Sequence, residues 1–167
     1  MPKLTTRTLV LSAMLIALEI VLSRFLSISA WNTKIGFAFV PVALAALLLG
    51  PLNAGIVAAL ADFLGALLFP TGPYFPGFTL TAFLMGLCYG FFLYPKQSFL
   101  RILLAVAVHQ LALSLLLNTL WISLLYGSVF GALLVSRLPQ CALLAAVQLA
   151  VIPLLVRLLP RLKRSLP

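Results

Sequence analysis

Charged side chains are scarce in this sequence. Of its 167 residues only 8% are charged, with two acidic residues among them, whereas 64% are hydrophobic. A typical soluble domain carries about 25% charged residues, and a core of this size could not hide so much apolar surface. The composition therefore excludes a soluble globular protein. Because one transmembrane helix takes about 20 residues, the chain has room for roughly six crossings and for no separate extramembrane domain.

Motifs for catalysis, metal binding and nucleotide hydrolysis are also missing from the sequence. Cys88 and Cys141 stand alone in apolar runs, so we expect neither a disulfide framework nor a metal site. There is no G-x-x-x-x-G-K-[ST] loop, no H-E-x-x-H motif and no nucleophile with an assignable base. We therefore expect no enzymatic activity and no cofactor. A proton-coupled carrier would need a chain of intramembrane acids or an inverted repeat, and the sequence shows neither.

Six apolar segments, separated by polar or proline- and glycine-containing breaks, predict an all-α membrane protein with six transmembrane helices. The second segment spans only about 21 Å as a helix, so we expect a tilted or partial crossing there. The segments are approximately residues 8–26, 36–49, 53–69, 78–94, 99–126 and 138–159.

The basic residues predict the orientation of the chain. Eight of the eleven Lys and Arg residues fall on one side of six crossings, and three, Arg24, Lys34 and Arg137, fall on the other. Since cytoplasmic loops carry the excess of Lys and Arg, both termini are predicted to be cytoplasmic. The net charge of +9 also suits anionic membrane lipid. The basic residues form no stripe on a soluble face, so we do not expect nucleic acid as a partner.

Ionisable residues inside apolar segments cost at least about 2.5 kcal/mol to insert, which makes Glu19, Asp62 and His109 functional candidates. Asp62 shares a helical face with Ala58 and Gly65. Such small residues let a flat ligand approach a carboxylate that can accept two parallel N–H donors. The alternative is that Asp62 only joins an interhelical network or pairs with a basic group. His109 lacks partners at metal-ligand spacing and is predicted to be a hydrogen-bonded structural residue.

A second polar stripe lies on the fifth segment, where Gln110, Ser114, Asn118 and Trp121 recur at helical spacing. We expect Asn118 to face a ligand and the Trp121 indole to form a stacking wall for an aromatic ring. The alternative for Trp121 is a residue of the aromatic belt at the membrane interface.

Aromatic residues and cations occur together near the predicted outer loops. Trp31, Tyr74 and Phe75 lie in these loops, Arg24 closes the first segment, and Arg137 begins the sixth. The combination suits a flat anionic small molecule, because an arginine can bind a carboxylate through two parallel hydrogen bonds. The alternative is that each arginine contacts a lipid phosphate at the interface.

The first segment carries a small-x-x-x-small pattern at Ala13 and Ala17. Two small residues one turn apart permit the close approach of another helix. Taken alone, the pattern favours packing against a helix of the same chain over docking of a partner protein.

Six blocks of the sequence carry a family resemblance. They are residues 35–51 (IGFAFVPVALAALLLGP), 61–65 (ADFLG), 69–79 (FPTGPYFPGFT), 118–121 (NTLW), 125–127 (LYG) and 137–138 (RL). These blocks resemble the substrate-binding subunits of energy-coupling factor (ECF) vitamin transporters, and within that family they look most like the folate-specific members.

The resemblance implies one transmembrane substrate-binding domain over residues 1–167, in a bacterial cell membrane, that holds one vitamin near its outer face. It also implies a membrane scaffold subunit and two cytoplasmic ATPase subunits as partners. Family members dock on the scaffold through the first helix, which makes Ala13 and Ala17 the expected docking face. The alternatives are an importer subunit for another flat vitamin or precursor, a stand-alone secondary carrier, and a membrane assembly protein without a ligand.

For folate, charge complementarity suggests which residue would meet each end of the ligand. Asp62 would accept the N–H donors of the pterin, and Trp121 with the loop aromatics would pack on the rings. Arg24 or Arg137 would bind the glutamate carboxylates.

Overall fold

The computed structural model of the protein describes residues 5–30, 33–70 and 72–165. Within these ranges the chain forms six helices and one antiparallel β-hairpin. The middle of the fifth helix, Val108–Leu117, is π-helical. The elements are α1 (Thr6–Arg24), β1 (Ser27–Ala30), β2 (Thr33–Gly36), α2 (Phe39–Leu49), α3 (Pro51–Leu68), α4 (Pro76–Leu93), α5 (Phe99–Tyr126) and α6 (Phe130–Ser165).

Five of the helices are long and apolar enough to cross a membrane, and α2, with 11 residues, is shorter. Large apolar side chains on these helices stay exposed, as Leu67, Phe91 and Leu124 show. In water such a surface would be unfavourable, whereas lipid accepts it and also requires that backbone polar groups be satisfied inside each helix. The fold is therefore that of an α-helical membrane protein, as the composition predicts.

Local sequence signals define the helix ends. The Thr5 hydroxyl caps α1 by accepting a 3.3 Å hydrogen bond from the backbone N–H of Thr8. Pro51 and Pro76 occupy the first positions of α3 and α4, where the missing N–H of proline costs nothing. Gly127 follows α5 with φ of 64°, a left-handed conformation that favours glycine and ends the helix.

Two features differ from the sequence prediction. The sixth helix begins at Phe130 and continues through Pro139, so Arg137 lies two turns inside it and not at its start. Proline is tolerated in membrane helices when neighbouring groups satisfy the freed backbone carbonyl, which is why the Leu138-Pro139 pair is a poor boundary marker. The polar stretch after the first helix forms the β1–β2 hairpin, which the sequence analysis did not predict.

Helices α3 and α4 pack closely against each other. A Cβ atom on Gly86 would overlap the backbone of Ala54, and one on Gly90 would overlap Pro51. Glycines at these contacts allow the two backbones to approach closely, as small residues do between membrane helices. The core around this pair includes Val42 of α2, which is fully buried.

One end of the bundle gathers the ends of α1, α3 and α5, the starts of α4 and α6, and the hairpin; we call it the mouth end. The Phe25 and Phe69 rings lie 5.1 Å apart there, and the Phe75 and Trp121 rings lie 5.6 Å apart. The loop before α4 also reaches α5, since a Cβ atom on Gly72 would lie 3.6 Å from the Tyr126 hydroxyl.

Candidate ligand-binding site

A cavity of about 590 Å³ extends from the mouth end into the bundle. Its volume falls in the range of about 300–1,000 Å³ that is usual for small-molecule sites. Side chains from α1, α3, α4, α5 and α6 line it, together with the loop before α4. Six of the eight residues predicted to contact a ligand line this one cavity: Arg24, Asp62, Tyr74, Phe75, Asn118 and Arg137. Trp31, the seventh, lies outside the described residues.

Asp62 is held in a hydrogen-bonded chain between α3 and α4. The Thr79 hydroxyl donates to Asp62 Oδ2 at 2.8 Å, and the Tyr74 hydroxyl lies 3.2 Å from Thr79 Oγ1. The carboxylate therefore joins an interhelical network and lines the cavity at the same time. One oxygen is fixed by Thr79, which orients the carboxylate for a further donor.

The guanidinium of Arg24 lies against the backbone of α3. A Cβ atom on Gly65 would sit 3.1 Å from Arg24 Nε and 3.7 Å from its Cζ. A larger residue at position 65 would displace the guanidinium, so the small stripe on α3 makes room for the arginine beside the cavity. Gly65 follows Asp62 by three residues, which places both on one face of the helix.

Arg137 lies deeper than its predicted place at the mouth. Its side chain is only 5% exposed, and its Nη2 donates to the backbone carbonyl of Ser114 at 3.5 Å. Ser114 belongs to the π-helical segment of α5, and such segments are often found at functional sites. The corrected start of α6 therefore moves this cation from the membrane interface to the cavity wall.

Trp121 lies behind Phe75 and not on the cavity wall. A Cβ atom on Gly77 would lie 2.6 Å from Trp121 Cδ2, so the indole packs directly on this glycine. Its Nε1 donates to Thr81 Oγ1 at 3.0 Å. The Phe75 ring faces the cavity in its place, and direct contact of Trp121 with a ligand stays a prediction.

The cavity ends on a buried polar network, which we call the inner network, of Tyr89, His109 and Gln148. The Tyr89 hydroxyl donates to Gln148 Oε1 at 2.9 Å and lies 3.0 Å from His109 Nδ1. The hydrogen bonds agree with the structural role predicted for His109, although its ring also lines the cavity.

Two glutamines of α6, Gln140 and Gln148, line the cavity with Arg137 and are not among the residues predicted from the sequence. Positions 137, 140, 144 and 148 follow helical spacing and share one face. The spacing of these amides on an apolar helix indicates a polar face toward a cavity. Because the predicted sixth segment began at Leu138, Arg137 was not assigned to that face.

Removing the Tyr89 hydroxyl tests the inner network. We expect Tyr89→Phe to lower the free energy of unfolding by about 1–3 kcal/mol, because Gln148 and His109 would lose a buried partner. The measurement is the midpoint of a denaturant titration in detergent. Tyr94→Phe is the matched control, since Tyr94 is 52% exposed; equal midpoints for the two variants would show that the network adds no stability.

The charges of the cavity are unevenly distributed. Arg24, Asp62 and Glu19 lie within two turns of the mouth-end termini of their helices, and Arg137 lies two turns below the start of α6. Beyond Arg137 the described lining side chains are uncharged amides, the imidazole and apolar groups: Met85, His109, Gln110, Leu144 and Gln148. The charged side chains therefore all lie toward the mouth, where the two arginines can bind an anionic group, and the inner part suits a neutral polar group. Among the residues described, no three His, Cys, Asp or Glu side chains are placed to hold a metal ion.

Ala13 and Ala17 lie away from the cavity. Both are exposed on α1, whereas Leu15 and Glu19 of the same helix are buried. The pair therefore lies on an outward surface of α1, where it is accessible to another helix.

The chain belongs to the family of ECF transporter substrate-specific components, whose family model matches residues 7–156. The resemblance that the sequence blocks indicated is thereby confirmed.

Two curated relatives carry the name "Folate transporter FolT". The protein from Clostridium novyi (strain NT) is 46% identical over 141 residues, which cover 84% of this chain and 82% of the relative. The protein from Leuconostoc mesenteroides is 40% identical over 127 residues, which cover 75% of this chain and 68% of the relative.

A solved structure is similar throughout. It is described as the crystal structure of FolT bound with folic acid, and it matches with a TM-score of 0.86 and 39% identity. The match covers 90% of this chain and 93% of that one. The fold is therefore shared over nearly the whole length of both chains.

Proposed function

We propose that this chain is the folate-binding subunit of an ECF-type importer, with residues 1–167 acting as one transmembrane substrate-binding domain. The observation that carries the proposal is the convergence of two arginines, a carboxylate and aromatic side chains on one cavity at the mouth end. The relatives named as folate transporters, and the similar structure with folic acid bound, agree with it.

Folate fits the distribution of charge in the cavity. Its glutamate carries two carboxylates, which Arg24 and Arg137 can bind. Its aryl ring would lie between these cations and the inner end, beside Phe75 and Tyr74. Asp62, expected from the sequence to accept donors of the pterin, lies in the outer half of the cavity. There its other carboxylate oxygen, Oδ1, would meet the N–H groups that flank the aryl ring.

The orientation in the membrane is part of the same proposal. Helix α2 leads from the mouth end back to the start of α3, so it acts as a sixth, shortened crossing of about 17 Å. The end opposite the mouth carries Arg7, Lys96, Arg101 and Arg157, and the excess of basic residues marks the cytoplasmic side. Both termini are then cytoplasmic, and the mouth faces outward across a bacterial cell membrane.

Uptake would depend on partner proteins. The sequence contains no phosphate-binding loop, so the energy for transport would come from two cytoplasmic ATPase subunits through a membrane scaffold subunit. Within this assembly the chain would bind and deliver the vitamin and catalyse no reaction. Ala13 and Ala17 would form the surface of α1 that contacts the scaffold.

Ligand binding without nucleotide tests the proposal. The purified protein in detergent is heated with each B vitamin in turn, and we expect folic acid alone to raise its melting temperature, because a ligand of the folded state adds stability. Calorimetry should then give one folic acid per chain. A larger shift with another vitamin would reassign the ligand, and ion-coupled uptake by the chain alone in liposomes would identify a secondary carrier.

A further inference from the structure

Gln110 is a buried amide without a hydrogen bond. Its side chain is 2% exposed and lines the cavity. Neither its Nε2 nor its Oε1 has a hydrogen-bond partner among the described residues. Gln148, the neighbouring buried amide of the inner end, accepts a bond from Tyr89 at 2.9 Å. The two glutamines therefore differ: Gln148 is held by the protein, whereas Gln110 lines the cavity with a buried donor and acceptor that no described residue satisfies.

A buried side-chain amide without hydrogen-bond partners is energetically unfavourable. Burying a polar group without compensation costs about 1–3 kcal/mol in proteins, and native structures satisfy most such groups. A ligand that presents an adjacent acceptor and donor would satisfy both atoms of Gln110 at once. The side-chain amide can rotate to exchange its oxygen and nitrogen, so the same residue can match either order of the pair.

The charge distribution decides which end of a folate molecule reaches Gln110. On α6, Arg137 lies at the level of Ser114, and Gln110 is four residues further from the mouth along α5. The described lining residues beyond this level include no arginine or lysine. A glutamate placed there would be desolvated without a cation, which is strongly unfavourable. The neutral heterocycle can enter this region, because its polar edge needs only neutral partners.

We propose that Gln110 determines specificity for the pterin ring, by pairing its amide with the lactam edge formed by N3–H and O4. The inference rests on the proposed folate binding. The Gln110 oxygen accepts the N3–H bond while its NH2 donates to O4, and both bonds form at a buried position, since Gln110 is 2% exposed. The π-helical segment of α5 carries this residue together with Ser114 on the cavity wall.

The test is Gln110→Leu, which keeps the approximate size of the side chain and removes both hydrogen-bonding atoms. Dissociation constants are measured by calorimetry or competition for folic acid, for pteroic acid, which lacks the glutamate, and for p-aminobenzoylglutamate, which lacks the pterin. Losing two neutral hydrogen bonds should weaken folic acid and pteroic acid about 10- to 100-fold. Binding of p-aminobenzoylglutamate should change less than about twofold.

Stability of the ligand-free variant provides an independent readout. Because Gln110 makes no hydrogen bond within the described protein, Gln110→Leu should not lower the melting temperature of the empty protein. Gln97→Leu is the matched control: the same atoms are removed from an exposed residue that donates to the Leu93 carbonyl and does not line the cavity. That variant should bind all three ligands as the unmodified protein does.

Three results would overturn the proposed role of Gln110. Unchanged folic acid affinity in Gln110→Leu, or equal losses for all three ligands, would overturn the role of Gln110 while folate binding itself stands. A lower melting temperature of the empty variant with unchanged affinities would show a structural role instead. Absence of folic acid binding in the unmodified protein would overturn the proposed function and this inference together.

Discussion

Replacing Arg24 by methionine is expected to weaken folic acid binding by about 30- to 100-fold or more. Removing one partner of a hydrogen-bonded charge pair at a partly buried site costs about 2–5 kcal/mol, and each 1.4 kcal/mol is tenfold in affinity. We take the lower part of this range because Arg24 is only half-buried. Methionine keeps the length of the apolar stem, so the packing beside Gly65 is retained and the change reports mainly on charge.

The matched control for this prediction is Arg101→Met. Arg101 is also half-buried, but it lies in the first turn of α5, at the end opposite the mouth. Both variants remove one positive charge, and calorimetry of the purified proteins separates a local effect from a general one. Similar affinities for the two variants would remove Arg24 from the glutamate site. The loss for Arg24→Met should also become smaller at high salt, because the charge is partly screened.

Placing tryptophan at position 13 is expected to abolish folate uptake by cells while leaving folic acid binding unchanged. Ala13 and Ala17 are exposed one turn apart on α1, away from the cavity. A bulky ring at such a position prevents the close approach of another helix. Binding is measured on the purified chain, and uptake is measured in cells that also express the scaffold and ATPase subunits.

Ala146→Trp serves as the control for the docking face. Ala146 is likewise exposed on a helix, but on α6. We expect this variant to transport normally if the α1 surface is the one that contacts the scaffold. Persistent uptake in Ala13→Trp would place the docking surface elsewhere, and weaker folic acid binding would show that the ring disturbs the fold of the chain.

The sequence predicts the helices and much of the cavity because both depend on strong local patterns. Pro51 and Pro76 at the start of long apolar helices, and Gly127 after the end of another, mark boundaries that packing does not override. Helical periodicity predicts polar faces that contain Asp62 and Asn118, and in the structure both residues line the same cavity.

Local sequence patterns do not predict contacts between residues that are far apart in the chain. Tyr89 and Gln148 are 59 residues apart and meet only because α4 and α6 flank the same cavity. The position of Trp121 behind Phe75 depends on the absence of a side chain at Gly77, which periodicity on α5 does not reveal. The depth of Arg137 was missed for a different reason, since Pro139 resembles a helix boundary although α6 continues through it.

The position of folic acid in a crystal structure of the loaded protein tests the central claim most directly. We expect one molecule inside the cavity, with the glutamate beside Arg24 and Arg137 and the pterin against Gln110. Folic acid bound outside this cavity, with the buried arginine and glutamine side chains untouched by it, would contradict the account.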